Sequence, residues 1–325
     1  MLDAAEHSAG TSPEGRLPRA HRALQARVRV LMDARRYADA LPVALQLAVL
    51  HDDPSSGVVL DLDARRDARL WLGELQLRLG QAERADETFS VLARPPFDLA
   101  DARAVVRARI LLQQAHDEIR GNRLDMAEQA LGAVSPLLQA GAGVDRFAPG
   151  ALADAYYELH RRRGHYAEAL AASEAAVKAY DGYWGGRHHR ATAARIHVAL
   201  AELDLGRAAD AWRNLETARA RIDANGHHDD ELRAVDVARA RALTDLGRPQ
   251  DAIDLLLTRA SVAPTEDDPP AESELESRAE RGRALMALGQ KAEGRRLVIA
   301  ASAGMQQAGW PSGLFKRYTV LLTDR

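Results

Sequence analysis

Apolar residues recur along this chain at three- and four-residue spacing, the period of a helix with one buried face. Leu232, Val235, Val237, Ala240 and Leu243 follow it before Gly247, and Ile253, Leu256 and Leu257 follow it afterwards. The runs are broken by one recurring punctuation: a turn-tolerant residue, four mostly polar residues, then a small residue opening the next apolar run. Gly80-Gln-Ala-Glu-Arg-Ala85, Gly164-His-Tyr-Ala-Glu-Ala169, Gly206-Arg-Ala-Ala-Asp-Ala211 and Gly247-Arg-Pro-Gln-Asp-Ala252 are full copies. Gly289-Gln-Lys-Ala-Glu-Gly294 ends on Gly in place of Ala, and Arg35-Arg-Tyr-Ala-Asp-Ala40 and Asn122-Arg-Leu-Asp-Met-Ala127 complete the set. The turn residues are spaced by 45, 42, 42, 42, 41 and 42 positions. Such a register predicts seven antiparallel helix pairs, each burying its apolar face on its neighbours.

The punctuation has a physical reading. Gly accepts the left-handed backbone that ends a helix, Asn122 is the usual second choice, and Pro249 sits early in its helix, where a missing N–H costs nothing. The small residue five positions after the turn lets the paired helices approach closely. Breakers place loops between pairs at Pro95-Pro96, Ala148-Pro149-Gly150, 181–186, Asn225-Gly226 and 264–270.

With these residues in hand, the chain resembles the tetratricopeptide repeat family, which has a small residue at the eighth position of its first helix and Ala five residues after the turn. Gly73 and Gly282 match the eighth position, whereas Tyr157 and Ala199 depart from it, so their pairs are expected to cross at a different distance. The 42-residue period is similar to the long-helix subtype of kinesin light chains and of bacterial arrays attached to kinases or regulators. His188-His189-Arg-Ala-Thr-Ala-Ala echoes that subtype's helix start without its proline. The resemblance covers about 19–303 and implies an all-α, right-handed superhelical solenoid of about seven pairs.

Composition narrows the picture further. Apolar residues are 46% and aromatics 5%, so the core is built mainly of Ala, Leu and Val. The absence of Cys removes disulfides, thiolate metal sites and a cysteine nucleophile. The first residues hold no signal-peptide stretch and no segment has a membrane-spanning apolar run, so a cytoplasmic protein with no membrane partner is expected. With 44 Lys+Arg against 47 Asp+Glu there is no basic field for nucleic acid, and Arg161-Arg162-Arg163 is read as a solvated helix end.

The resemblance also places a groove on the first helices. Its register sends Arg29, Glu74, His116, Arg120, Asp154, Glu158, Arg162, Arg241 and Arg283 toward it, the alternative being ordinary solvated helix faces. The arginine excess suits carboxylates and phosphates, and so an acidic or phosphorylated peptide. The asparagines with which kinesin-light-chain and chaperone-tail repeats hold a peptide backbone are missing; the stretch here reads Arg195-Ile-His197-Val. The implied function is a peptide- or protein-binding scaffold without catalysis of its own; the competing class is the sensor or oligomerisation region of a bacterial signalling protein.

Three other features bear on function. Tyr180, Tyr183 and Trp184 form a loop cluster read either as interface anchors or as a plug between the fourth and fifth pairs. His188-His189, His227-His228-Asp229-Asp230-Glu231 and Glu266-Asp267-Asp268 share a loop edge, but show no recognised ligand spacing, so neither metal nor cofactor is expected. No phosphate loop, Gly-x-Ser-x-Gly elbow or His-Glu-x-x-His helix occurs. Residues 1–18 are expected to be disordered, 19–308 to form the array, and 309–325 to cap it, with Trp310, Leu314, Phe315 and Leu321 as a lid over the last pair.

Overall fold

The computed structural model describes residues 13–52, 62–92, 94, 104–140, 148–184, 188–225, 229–259, 272–307, 317–319 and 322. Among them are fourteen α-helices arranged as seven consecutive pairs, a further helical turn at 317–319, and no strand. The chain divides into two compact units, 1–111 with 137–141, and 112–136 with 142–325. The first unit holds α1 (Pro13–Asp33), α2 (Tyr37–Asp52), α3 (Leu62–Arg78) and α4 (Ala82–Leu92). The division runs through α5 (Ala104–Arg120) and α6 (Leu124–Ala140). The second unit continues with α7 (Ala148–Arg163), α8 (Tyr166–Trp184), α9 (His189–Asp204), α10 (Ala208–Asn225), α11 (Asp229–Asp245), α12 (Pro249–Arg259), α13 (Glu272–Ala287) and α14 (Lys291–Gln307).

Each pair turns at the residue the repeat marks. Arg35, Gly80, Asn122, Gly164, Gly206, Gly247 and Gly289 all have positive φ, from 56° at Arg35 and Asn122 to 85° at Gly289. At every one, the N–H of the following residue donates to a carbonyl five residues back, as Arg207 N–H does to Glu202 O at 2.8 Å and Arg248 N–H to Leu243 O at 2.8 Å. The turn residue's own N–H donates three residues back, as Gly206 does to Leu203 O at 3.1 Å. These two hydrogen bonds satisfy the last carbonyls of the first helix and reverse the chain.

Five residues later, Ala40, Ala85, Ala127, Ala169, Ala211 and Ala252 are fully buried. The seventh copy has a steric reason for its Gly: a Cβ on Gly294 would meet Gly282 O at 2.5 Å, and one on Gly282 would meet Gly294 O at 2.7 Å. The α13 and α14 backbones touch there, closer than Ala permits.

Within the first unit, Val28, Leu31, Val43, Leu47, Trp71 and Leu75 join α1, α2 and α3 in one apolar cluster. Within the second, Ile196, Leu215, Ile222, Leu232 and Val235 join α9, α10 and α11, and Val237, Ile253, Leu256 and Leu285 join α11, α12 and α13. The first helices of the second unit also touch in succession: α7 with α9, α9 with α11, and α11 with α13. That contact lays four first helices side by side.

Some expectations are corrected. The 148–150 breaker begins α7, where Pro149 lies in the first turn and its missing N–H is tolerated. The aromatic cluster at 180–184 belongs to α8, which runs on to Trp184. Tyr180 is buried, its ring filling the space over Gly150 where a Cβ would come within 2.4 Å. It packs with Ala176, Ala191 and Ala194 as a plug and is no exposed anchor. The side chains of Tyr183 and Trp184 lie outside the described residues, as do Trp310, Leu314, Phe315 and Leu321. Helix α1 starts at Pro13, inside the stretch expected to be disordered.

Two substitutions test this geometry. Gly206→Ala forces a Cβ into a left-handed turn and is expected to cost about 1–2 kcal/mol. Gly294→Ala must separate two backbones and is expected to cost about 1–3 kcal/mol. Urea denaturation of both variants against the unaltered protein checks the assignment; midpoints equal to that of the unaltered protein would contradict it.

Candidate functional site

The face built by α7, α9, α11 and α13 carries a chain of charges that runs from one first helix to the next. Asp204, at the end of α9, has only 6% of its side chain exposed. Its carboxylate faces Arg161 Nε on α7 at 3.2 Å and Arg241 Nη1 on α11 at 2.8 Å. On α13, Arg283 pairs with Asp245 of α11 at 2.6 Å and with Glu280 at 2.8 Å, and its Nη2 donates to Arg241 O at 3.0 Å. Glu280, with 1% exposure, also accepts the Tyr318 hydroxyl at 2.7 Å. Several pairs join residues about one repeat apart, so each couples neighbouring pairs of helices.

The other end of this face holds rings and histidines. Tyr157 of α7 is fully buried and stacks on His197 of α9, with ring centroids 4.3 Å apart at 12°. Asp154 accepts the Tyr180 hydroxyl at 2.6 Å, and its other oxygen lies 3.4 Å from His197 Nδ1. The half-buried His116 on α5 feels the Glu158 and Asp154 carboxylates, yet burial outweighs them and holds its pKa below the ordinary value.

Burial alone would raise Asp204 and Glu280, but the guanidinium groups outweigh it. Arg241 and Arg161 hold Asp204 below the usual carboxylate range, and Arg283 and Arg317 do the same for Glu280. Burial pushes the Tyr157 hydroxyl well above its ordinary value, so it stays protonated.

Of the residues expected in the groove, Asp154, Arg241 and Arg283 fall within this chain of contacts. Glu158 contributes its field to Tyr157 and Arg161, and Arg162 is half-buried on α7. Arg120 is exposed and pairs with Asp117. Arg29, exposed on α1, and Glu74, half-buried on α3 and 3.9 Å from Arg78, belong to the first unit. The solvated reading of Arg161-Arg162-Arg163 fails. Arg161 is 12% exposed and paired with Asp204, while Arg163, 18% exposed, reaches Asp125 at 2.7 Å and Glu128 at 2.9 Å.

Sequence reasoning missed Tyr157, Asp204, Glu280 and Arg317 as site residues. One signal was present: seven positions before each turn stand Val28, Gly73, Ala115, Tyr157, Ala199, Ala240 and Gly282, and Tyr157 alone is large. Among the described residues no group of three or more His, Cys, Asp or Glu side chains is placed to hold a metal. His188 instead caps α9, its Nδ1 accepting from Arg190 N–H at 3.3 Å. The histidines and acids at 227–228 and 266–268 lie outside the described residues. No described helix is long and apolar enough to cross a membrane.

These shifts fix the sign of the pH response. His116 has a folded pKa below its unfolded one, so the unfolded state takes up the proton first and stability starts to fall as the pH drops below about 6.5. The carboxylates act in the same direction later: Asp204 and Glu280 stabilise above their unfolded pKa near 4, and that stability is lost as the pH falls through their lower folded values. Urea midpoints measured from pH 8 to 2.5 should fall in two stages. His116→Gln should weaken the upper stage alone, and Glu280→Gln the lower alone; a profile unaltered by either would contradict the assignment.

No family profile and no curated protein matches the sequence. Solved structures do match in fold. A Rap protein complexed with competence and sporulation factor superposes with a TM-score of 0.70 at 10% identity, over 92% of this chain and 79% of that one. NprR in complex with its cognate peptide NprX gives 0.61 at 13% identity, over 90% and 82%. Aspartyl phosphate phosphatase F from Bacillus subtilis gives 0.52 at 14% identity, over 97% and 80%. With its seven turn-marked helix pairs and these neighbours, the chain has the tetratricopeptide-like helical-repeat fold.

Proposed function

We propose that the chain is a scaffold that binds a peptide or protein segment across α7, α9, α11 and α13, with no catalysis of its own. The observation that carries this reading is the unbroken chain of ion pairs and stacked rings along four adjacent first helices. Such a face offers charged and polar partners at each repeat, which suits a segment lying across several repeats. The fold likeness adds support, since the Rap and NprR structures each hold a factor or peptide.

The chemistry of the segment shifts from the acidic or phosphorylated peptide suggested by an arginine excess. Arg241 and Arg283 are already paired with Asp204, Asp245 and Glu280, so the face meets its ligand as alternating charge. A segment of mixed charge fits it better. A second reading, a sensor region of a signalling protein, is favoured by the same pairs: a ligand that breaks one alters the contact between two repeats.

Photo-crosslinking tests the face directly. A benzoylphenylalanine at Glu158, on the face, is expected to capture a segment in native cells; one at Arg213 of α10, whose side chain is 73% exposed, is not. Equal capture at both positions, or none at Glu158, would remove the reading.

A further inference from the structure

Arg317 lies beyond the end of α14, yet its guanidinium returns to the face of the first helices. Its Nη1 is 3.7 Å from Asp204 Oδ1 on α9, its Nη2 3.6 Å from Glu276 Oε1 and its Nε 3.8 Å from Glu280 Oε1, the last two on α13. One side chain thus reaches the fifth and the seventh pairs at once. The next residue explains how it gets there: Tyr318 is fully buried against Leu275, Ala279, Val298, Ala301 and Met305, and its hydroxyl donates to Glu280 at 2.7 Å. Arg317 lies over the Tyr318 ring at 4.6 Å and donates Nη2 to its hydroxyl at 2.8 Å.

The three carboxylate distances decide what kind of contact this is. At 3.6–3.8 Å they exceed the 2.7–2.9 Å of a charge-assisted hydrogen bond, so Arg317 sits in the field of three carboxylates without forking onto any. Its Nε is buried without a hydrogen-bond partner. On the same face the nearest guanidinium–carboxylate approaches are shorter, 2.8 Å from Arg241 to Asp204 and 2.6 Å from Arg283 to Asp245. A second, independent mark lies beside it. The fully buried Tyr157 hydroxyl has no hydrogen-bond partner and shares the electrostatic surroundings of Arg161, Asp204 and Glu276. An orphaned buried hydroxyl is destabilising, and a ligand group that hydrogen-bonds to it relieves that cost.

Charge balance points to the sign of that ligand. Among the described residues, the carboxylates Asp204, Asp245, Glu276 and Glu280 gather beside Arg161, Arg241 and Arg283, so removing Arg317 takes one positive charge from the group and favours a cation in its place. We propose that Arg317 is a built-in occupant of the binding face, standing where an arginine side chain of a bound segment goes, so that the segment must expel it to bind. The proposal rests on the scaffold reading above and adds the partner's chemistry and its control: a segment with an arginine next to an aromatic residue, held off by the chain's own Arg317-Tyr318. A latch closed nine-tenths of the time lowers the apparent affinity of such a segment about tenfold.

The test uses the full chain and a labelled synthetic peptide with the sequence of residues 315–323, Phe-Lys-Arg-Tyr-Thr-Val-Leu-Leu-Thr. Fluorescence anisotropy is expected to show Arg317→Ala binding it about tenfold more tightly than the unaltered protein, with no gain for the same peptide carrying Ala in place of Arg. Arg317→Lys, which keeps the charge and loses the fork, should fall between them, and it replaces the alanine variant if circular dichroism shows that one unfolded. Equal affinity of the altered and unaltered chains, an equal gain for the Ala peptide, or no binding of either peptide overturns the latch. Crosslinking at position 158 separates the two ideas: capture there with no effect of Arg317 keeps the face and discards the latch, and no capture discards the face itself.

Discussion

The seven left-handed turns are the constraint on which everything else depends. Each closes the first helix with a pair of backbone bonds and sends the second back along it, so the small residue five positions later arrives at the point of closest approach. A bulky side chain there would push the helices apart, and the apolar faces on either side would no longer meet. Non-glycine residues fill two of the turns, Arg35 and Asn122, at φ 56°. Asn tolerates that region through local hydrogen bonding, whereas Arg35 does so at a cost of about 1–2 kcal/mol that the rest of its pair must offset. The turn is therefore imposed by the packing as well as permitted by the residue.

Once the pairs stack, the first helices of the second unit lie against one another, and their polar positions must be satisfied across the repeats. Asp204 illustrates the energetics. A carboxylate at 6% exposure is expensive to ionise, and it stays ionised because two guanidinium groups from two other helices approach within 3.2 Å. Removing one partner would strand a buried charge, while replacing the whole group by apolar side chains of equal volume would cost little. Stability alone therefore does not account for such a network. A network whose members sit on successive repeats specifies the register between them, and it places charge on the face where a segment would lie.

The fold was legible because its causes are local. A left-handed turn, an Ala at a fixed offset and an apolar stripe each leave a mark within ten residues, and the period repeats that mark often enough to override single departures such as Gly294. The same logic explains the misreading at 181–184: Gly182 and two aromatics read as a loop, but Tyr180 packs on Gly150 and the helix continues to Trp184. The site was much less legible. Arg161 and Asp204 are 43 residues apart, and nothing in either neighbourhood says that one neutralises the other. Arg161 looked like a helix-end cation, favoured by the dipole and exposed; tertiary pairing buried it instead.

Tyr157 shows where a repeat departs from its own pattern. At the position where other pairs carry Gly, Ala or Val, a tyrosine needs room, and it finds it by lying along the next repeat, stacked on His197. Its ring is accommodated by Leu170, Val198, Ala201 and Ala169, the last being the small residue of its own pair. Its hydroxyl is not accommodated, and remains buried and unpartnered among charged neighbours. A phenylalanine would fill the same space without that penalty. The framework of small residues thus tolerates one departure, and that departure brings a polar atom, not merely a larger ring, to the face that carries the charge chain. The arginine that reaches back from beyond α14 lies 3.7 Å from Asp204 and 3.6 Å from Glu276, the two carboxylates whose field also reaches the Tyr157 hydroxyl.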